Sequence, residues 1–418
     1  MSHRSTVAGR YPFGGAATAP GMVALLLVAG IGVAVFVGFN IGGSSTGVAF
    51  GPAVGSNTVS KAGAAALMTL FAFAGGWTVG REVVQTLGSD IVTTEFTLPI
   101  SIGVLFFIGL ALFVSNVFGV PASTSMTAVG SMAGLGLARG TLNWAEMGQI
   151  VSWWLVSPIV AFWVSAVVGR YYYPRLVEWF AVTQTKGALV ELDRSETVPR
   201  PVLGPNTTRR EFVGTSLVVG IGCYMAFSAG ASNVANAVAP LVGSGSVSMN
   251  EGLLLGGAAI GLGAFTIARR TMDTVGNDLT DLPLLAALVV ATVSSTIVTA
   301  LSAIGIPASF VIIATMSIVG LGWGRATRTV TISDAREGDR PEFSVGALAA
   351  DAPEAPTVGG EGGTPEADPP PIGDEESVPR ADDLFEPATT ARVIFLQNIV
   401  PAIATLASFL LFRFAPVG

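Results

Sequence analysis

The sequence predicts an all-α polytopic membrane protein. It should consist of two inverted repeats of about five transmembrane helices each, with broken or re-entrant helices. Three observations carry that expectation. Mean hydropathy is +0.65, with 51% apolar and 12% charged residues, roughly half the charge of an ordinary soluble domain. Several stretches are apolar over the roughly 17–25 residues that a helix needs to cross a hydrocarbon core. The chain also repeats itself: residues 38–60, GFNIGGSSTGVAFGPAVGSNTVS, return at 226–248 as AFSAGASNVANAVAPLVGSGSVS, at an offset of 188 with no gap.

In the first half the apolar stretches lie near 21–40, 63–80, 98–118, 121–138 and 148–169. In the second half they lie near 211–229, 252–268, 282–304, 307–324 and 391–412. The first stretch runs straight into the repeated motif, so it reads as a retained span and not as a cleaved signal peptide. The chain then divides into an N-terminal tail (1–20), a first repeat (21–169) and a cytoplasmic linker (170–210). The core of the second repeat (211–325), an acidic loop (326–389) and a final helix with its tail (390–418) complete it.

The repetition continues beyond the motif. Thr78-Val79-Gly80-Arg81 returns as Thr266-Ile267-Ala268-Arg269, and Gly88-Ser89-Asp90 as Gly276-Asn277-Asp278. GVPASTS at 119–125 pairs with GIPASFV at 305–311, now at an offset of 186. Five crossings per half is an odd number, so the second half enters from the opposite side and the repeats are inverted. Charge bias agrees with N-terminus outside. That orientation leaves only Arg4, Arg10, Arg81, Arg139 and Arg413 on the outer side. The linker and the acidic loop then lie in the cytoplasm of a multi-pass cell-membrane protein.

Composition excludes several functions. The single histidine, His3, lies in the polar tail, and the single cysteine, Cys223, lies in an apolar run. Neither imidazole catalysis, nor a His-rich metal site, nor an internal disulfide is indicated. No matched pair of catalytic acids appears, so no enzyme is expected. No cofactor and no nucleic-acid partner is expected either. Lysine is confined to Lys61 and Lys186, and the pI is about 4.9. That pattern fits a salt-adapted prokaryote, and equally a biased genomic composition. The linker opens with the aromatic, amphipathic YYYPRLVEWF, suited to a membrane interface. The acidic loop, rich in Pro, Gly and Glu, cannot form a packed core.

Three motifs can carry chemistry. In Gly230-Ala231-Ser232-Asn233-Val234-Ala235-Asn236-Ala237, small residues allow close backbone approach or a break in the helix. A broken helix would expose N–H groups to an anion and C=O groups to a small cation. Pro121-Ala122-Ser123-Thr124-Ser125 places three hydroxyls in the first turn of a helix, beside free N–H groups and the positive dipole end. Such a turn can take up a tetrahedral oxyanion through neutral hydrogen bonds. Its partner, Pro307-Ala308-Ser309, keeps one hydroxyl. Asp90 and Asp278, in matched positions near span ends, are candidates for gating.

These motifs resemble the inorganic phosphate transporter (PiT) family, which carries a duplicated signature close to GANDVANA and a proline–hydroxyl motif close to PVSTTH. The resemblance implies an inverted-repeat fold with a central phosphate site driven by a cation gradient. It implies that Ser123, Thr124, Ser125 and Ser309 face the anion, joined by Ser44 and Ser232. It further implies that Ser45, Asn233 and Asn236 lie around the coupling ion, with Na+ or H+ as candidates. The sequence departs from the pattern where Ser45 and Asn233 replace the signature aspartates and Met126 replaces the histidine after the hydroxyls. Sulfate is fully ionised at neutral pH and needs no acceptor carboxylate, so the departures fit a sulfate permease as well as a phosphate permease. The expectation is therefore a secondary active transporter of phosphate by alternating access. A permease for sulfate or another oxyanion, and a non-transporting membrane sensor or scaffold, are the alternatives. A homo-oligomer is compatible with the chain.

Overall fold

The computed structural model describes residues 20–55, 58–117, 123–180, 190–193, 200–203, 209–268, 284–329 and 387–415. Asp278, Pro121, the N-terminal tail and all but the edges of the acidic loop lie outside them.

The first half contains α1 (Pro20–Gly55), α2 (Lys61–Thr78), α3 (Gly80–Gln85), α4 (Leu98–Val117), α5 (Thr124–Arg139) and α6 (Trp144–Val167). A π-helical segment, Thr86–Asp90, extends α3, and another, Val168–Tyr172, joins α6 to α7 (Tyr173–Phe180). The second half contains α8 (Arg209–Gly243), α9 (Met249–Thr266), α10 (Leu284–Ala303), α11 (Phe310–Thr329) and α12 (Pro387–Phe414). Seven of these helices are long and apolar enough to cross a membrane, and the bent α2–α3 pair adds an eighth. The stretch near 121–138 forms a helix of 16 residues, about 24 Å long and short of a hydrocarbon core. The linker holds α7 and a small antiparallel hairpin of β1 (Val190–Asp193) and β2 (Arg200–Leu203). This hairpin is an addition to the all-α expectation. Val190-Glu191-Leu192-Asp193 alternates apolar and acidic residues with the period of a strand.

The break expected within residues 230–237 is absent. α8 runs unbroken for 35 residues and α1 for 36. The bend lies instead between α2 and α3, where the axis turns by 68°. Packing explains the difference. A Cβ on Gly230 would stand 1.9 Å from the carbonyl oxygen of Ala72, and one on Gly42 would stand 1.9 Å from that of Ile260. Gly75 and Gly263 make the reciprocal approaches, to the carbonyls of Phe227 and Phe39. The small residues of the motif therefore let α1 lie on α9 and α8 on α2 at backbone contact. Apart from the donors missing at Pro52 and Pro240, both helices keep their internal hydrogen bonds, as an apolar medium demands.

The packing is symmetric under exchange of the halves. α1 packs on α9 as α8 packs on α2, α5 on α12 as α11 on α6, and α1 on α4 as α8 on α10. Matched details follow. Ser60 caps α2 and Ser248 caps α9, the latter in a reciprocal box with Glu251. Pro52 lies inside α1 and Pro240 inside α8, at the offset of the repeat. Two helical hairpins, α4–α5 and α10–α11, each bring the start of their second helix to the middle of the molecule. The turn in the second hairpin needs Gly305, whose φ is 77° and which lies against the Thr86 hydroxyl.

Candidate functional site

A cavity of about 130 Å³ opens between the two halves. Ser44, Ser45, Val48 and Ala49 come from α1, and Leu112, Ser115 and Asn116 from α4. Ser123 and Thr124 come from the start of α5, and Met225, Ala229 and Asn233 from α8. Ser309, Phe310 and Val311 close it from the start of α11. None of these lining residues carries a charge.

Two helix N-termini point their first turns at this space. Ser123 caps α5, its hydroxyl accepting from the Met126 N–H at 3.2 Å. Ser309 plays the same part in α11, accepting from the Ile312 N–H at 3.4 Å. The earlier N–H groups of both turns lie outside the helical ladder and remain free to meet an acceptor. Each terminus adds a partial positive charge. The cavity can therefore hold an anion by dipoles and hydroxyls alone.

Behind this lining lies a buried polar layer that ties α5 to α8. The Thr124 hydroxyl donates to Asn233 Oδ1 at 2.5 Å. Asn236 Nδ2 donates to Asn233 Oδ1 at 3.2 Å and to Ser125 Oγ at 3.3 Å. Ser125 Oγ lies 3.2 Å from Ser232 Oγ, and Ser232 donates to the Ala308 carbonyl at 3.0 Å. Asn236 is fully buried and its Oδ1 has no partner among the described residues.

The candidates named from sequence thus fall into two layers. Ser44, Ser45, Ser123, Thr124, Asn233 and Ser309 face the cavity, whereas Ser125, Ser232 and Asn236 form the layer behind it. The boundary cuts across the expected division into anion and coupling-ion ligands. Ser44 turns its hydroxyl to its own helix, 3.2 Å from the Asn40 carbonyl and 3.1 Å from that of Ile41. Asp90 lies away from the cavity at the end of the π-helical segment. Ser89 bonds its carboxylate at 2.7 Å and Asn143 its carbonyl at 2.9 Å. Ser115 and Asn116 were not foreseen. Their signal was a polar pair closing an otherwise apolar stretch just before the proline–hydroxyl motif. Asn116 Nδ2 bonds the Asn40 side chain at 3.1 Å, which holds it at the rim.

Comparison with known proteins agrees with this architecture. A model of the phosphate transporter family matches residues 41–337. The chain is 31% identical over 300 residues to "Sulfate permease CysP" of Bacillus subtilis (strain 168), covering 71% of this chain and 77% of that protein. It is 24% identical over 369 residues to the "Putative phosphate permease" of Haemophilus influenzae, covering 71% of this chain and 88% of that one. A solved structure, "The sodium-dependent phosphate transporter", shares the fold with a TM-score of 0.62 at 18% identity, covering 94% of this chain and all of that one. With its apolar helices and a family match across most of its length, this chain is a multi-pass membrane protein and belongs to the phosphate transporter family.

Proposed function

We propose that the protein is a secondary active permease that carries inorganic phosphate across the cell membrane by alternating access of two inverted repeats, coupled to Na+. The observation that carries the reading is the convergence of two capped helix N-termini and their hydroxyls on one uncharged cavity between the halves. A doubly charged oxyanion fits such a site because N–H groups and hydroxyls donate to it without the tight ion pair that would hinder release. The matched hairpins α4–α5 and α10–α11 supply one gate per side when the repeats are inverted. N-terminus outside remains the orientation that the arginine distribution favours.

The buried amides support Na+ as the coupling ion. Asn236 Oδ1 has no partner among the described residues, and Pro240, four residues on within α8, cannot donate to the Asn236 carbonyl. One amide oxygen is thus available to a small cation, beside Asn233 and Ser125, and the Asn236 carbonyl lacks its ordinary helical donor. None of the lining residues titrates near neutral pH, which favours Na+ over a proton carried by this lining. The deciding measurement is uptake of labelled phosphate and sulfate into proteoliposomes with and without Na+ and pH gradients. Na+-driven phosphate uptake is expected; uptake indifferent to both gradients would sink the coupled-carrier reading.

A specific observation favours sulfate as a second reading. Asn233 stands where the family signature has an acid, so no carboxylate is present to accept a proton from a protonated phosphate, and the sulfate permease is the more identical of the two permeases compared. Replacing Asn233 by Asp puts a negative charge against the Thr124 hydroxyl. The Asn233→Asp variant should shift the phosphate-to-sulfate uptake ratio at least tenfold toward phosphate. An unchanged ratio would remove residue 233 from anion selection.

A further inference from the structure

The seam between α8 and α10 is polar in a way that the candidate site does not use. Three successive turns of α8 each reach the α10–α11 hairpin. Ser232 donates to the Ala308 carbonyl at 3.0 Å, Ser228 to the Ser295 carbonyl at 3.1 Å, and the Tyr224 hydroxyl to Thr296 Oγ1 at 3.3 Å. On the same α10 the side-chain oxygens of Ser294, Ser295, Thr299 and Ser302 are buried without a partner among the described residues. Ser294, Ser295 and Ser302 are fully buried.

The helix itself is a control. Thr292 and Thr296, on the exposed side of α10, donate to the Leu288 and Thr292 carbonyls at 2.8 and 2.7 Å. That is the ordinary resolution for a hydroxyl in an apolar helix. The inner four do not use it. A buried hydroxyl without a partner is costly, and several on one helix need an occupant. Neutral oxygens in a row suit water molecules with two or more polar neighbours, and a small cation that exchanges its hydration shell for them.

The other half supplies a second control. At the offset of 186, Ser294 corresponds to Ile108, Ser295 to Gly109, Thr299 to Phe113 and Ser302 to Asn116, while at the offset of 188 Tyr224 corresponds to Phe36 and Ser228 to Asn40. There the seam between α1 and α4 is apolar at Ile108, Gly109 and Phe113, and its polar pair, Asn40 and Asn116, is joined by a hydrogen bond at 3.1 Å. Ile108 is fully buried, and Phe36 stacks on Phe113 with ring centroids 5.8 Å apart. One seam carries an aromatic pair and a bonded amide pair where its counterpart carries hydroxyls without a partner among the described residues. Its inner end is Ser232, which belongs to the buried layer with Asn233 and Asn236.

We propose that the α8–α10 seam is a hydrated path along which the coupling Na+ reaches the buried amides of Asn233 and Asn236. This rests on the Na+-coupled reading above. The test uses the full chain in proteoliposomes with Cys223→Ala as background. Ser294→Cys and Ser295→Cys are compared with Ile108→Cys in their rate of reaction with a small trimethylammonium methanethiosulfonate. Thr299→Cys replaces either variant that fails to incorporate. The seam cysteines should react at least tenfold faster than the one at 108, and Na+ in place of choline should slow them at least threefold. Rates equal to that at 108, or rates indifferent to Na+, would overturn the path. Anion uptake by the same vesicles reads the carrier separately. Na+-driven uptake with an unreactive seam leaves the carrier standing and removes the path, whereas loss of Na+-driven uptake in the Cys223→Ala background removes both.

Discussion

Alanine at Ser123, Thr124 and Ser125 together should lower anion affinity at least about 100-fold while leaving a folded protein. The size follows from the contacts. A hydrogen bond to a charged group contributes about 1.5–3 kcal/mol, and each 1.4 kcal/mol is about tenfold in affinity. Two cavity hydroxyls, Ser123 and Thr124, suffice for the whole effect. The fold loses mainly one helix cap at Ser123, about 1 kcal/mol. The members should also separate. Thr124→Ala alone should weaken anion binding at least about tenfold, because its hydroxyl lines the cavity and also orients Asn233. Ser125 faces Ser232 and Asn236 instead, so Ser125→Ala should alter the Na+ dependence of uptake more than the anion affinity. Calorimetric titration of the purified protein with phosphate and sulfate measures the first two expectations. Undiminished affinity in the triple variant would place the anion elsewhere.

The second large effect concerns packing. Gly42→Ala and Gly230→Ala should each destabilise the protein by about 3 kcal/mol or more, at the upper end of overpacking costs. A Cβ at 1.9 Å from a backbone carbonyl cannot be relieved by a side-chain rotation. Helices α1 and α9, or α8 and α2, must separate along their contact. The chain contains its own controls ten residues earlier in each helix. A Cβ on Gly32 or Gly220 meets nothing within 4 Å. Alanine there should be neutral or stabilise slightly, since Ala is the better helix former by up to about 1 kcal/mol. Thermal unfolding of the detergent-solubilised protein, followed by loss of the monodisperse species, distinguishes the four variants. Equal melting for Gly42→Ala and Gly32→Ala would refute the account of the motif as a backbone-contact surface.

The duplicated motif illustrates both what is legible in this sequence and what is not. Its offset, the hydroxyls after the proline, and the amide positions can be read directly, because chemistry of that kind depends on residue type and spacing. The open point was local. The small residues at 230–237 allowed either close backbone approach or a break in the helix, and the fold uses the first. In the folded chain the neighbouring helix occupies the space that a side chain would need. Propensity is a difference of about 1 kcal/mol, and burial against a second backbone in an apolar medium outweighs it. Helix length was underestimated for the same reason, since the small polar residues of the motif continue α1 and α8 instead of ending them.

The division of the polar residues was also beyond sequence reasoning. Ser125 and Ser232 are indistinguishable by type from Ser123 and Ser44, yet they bond to one another behind the lining. Rotation by one residue along a helix turns a side chain by about 100°, so the neighbour of a lining residue faces another layer. The polar seam of α10 was hidden in the same way. Its serines and threonines read as ordinary content of an apolar span until the fold shows four of their hydroxyls buried without a partner among the described residues.

The sequence by itself determined the membrane class, the twofold repetition and the identity of the hydroxyl and amide groups, because hydropathy, period and residue type are properties of the linear chain. Only the tertiary structure decided which of those groups meet across 107 to 111 residues of chain, which glycines serve as contact surfaces, and which hydroxyls of α10 are buried without a partner among the described residues. Those outcomes depend on the placement of one helix against another, and that placement is set by packing between residues far apart in the chain.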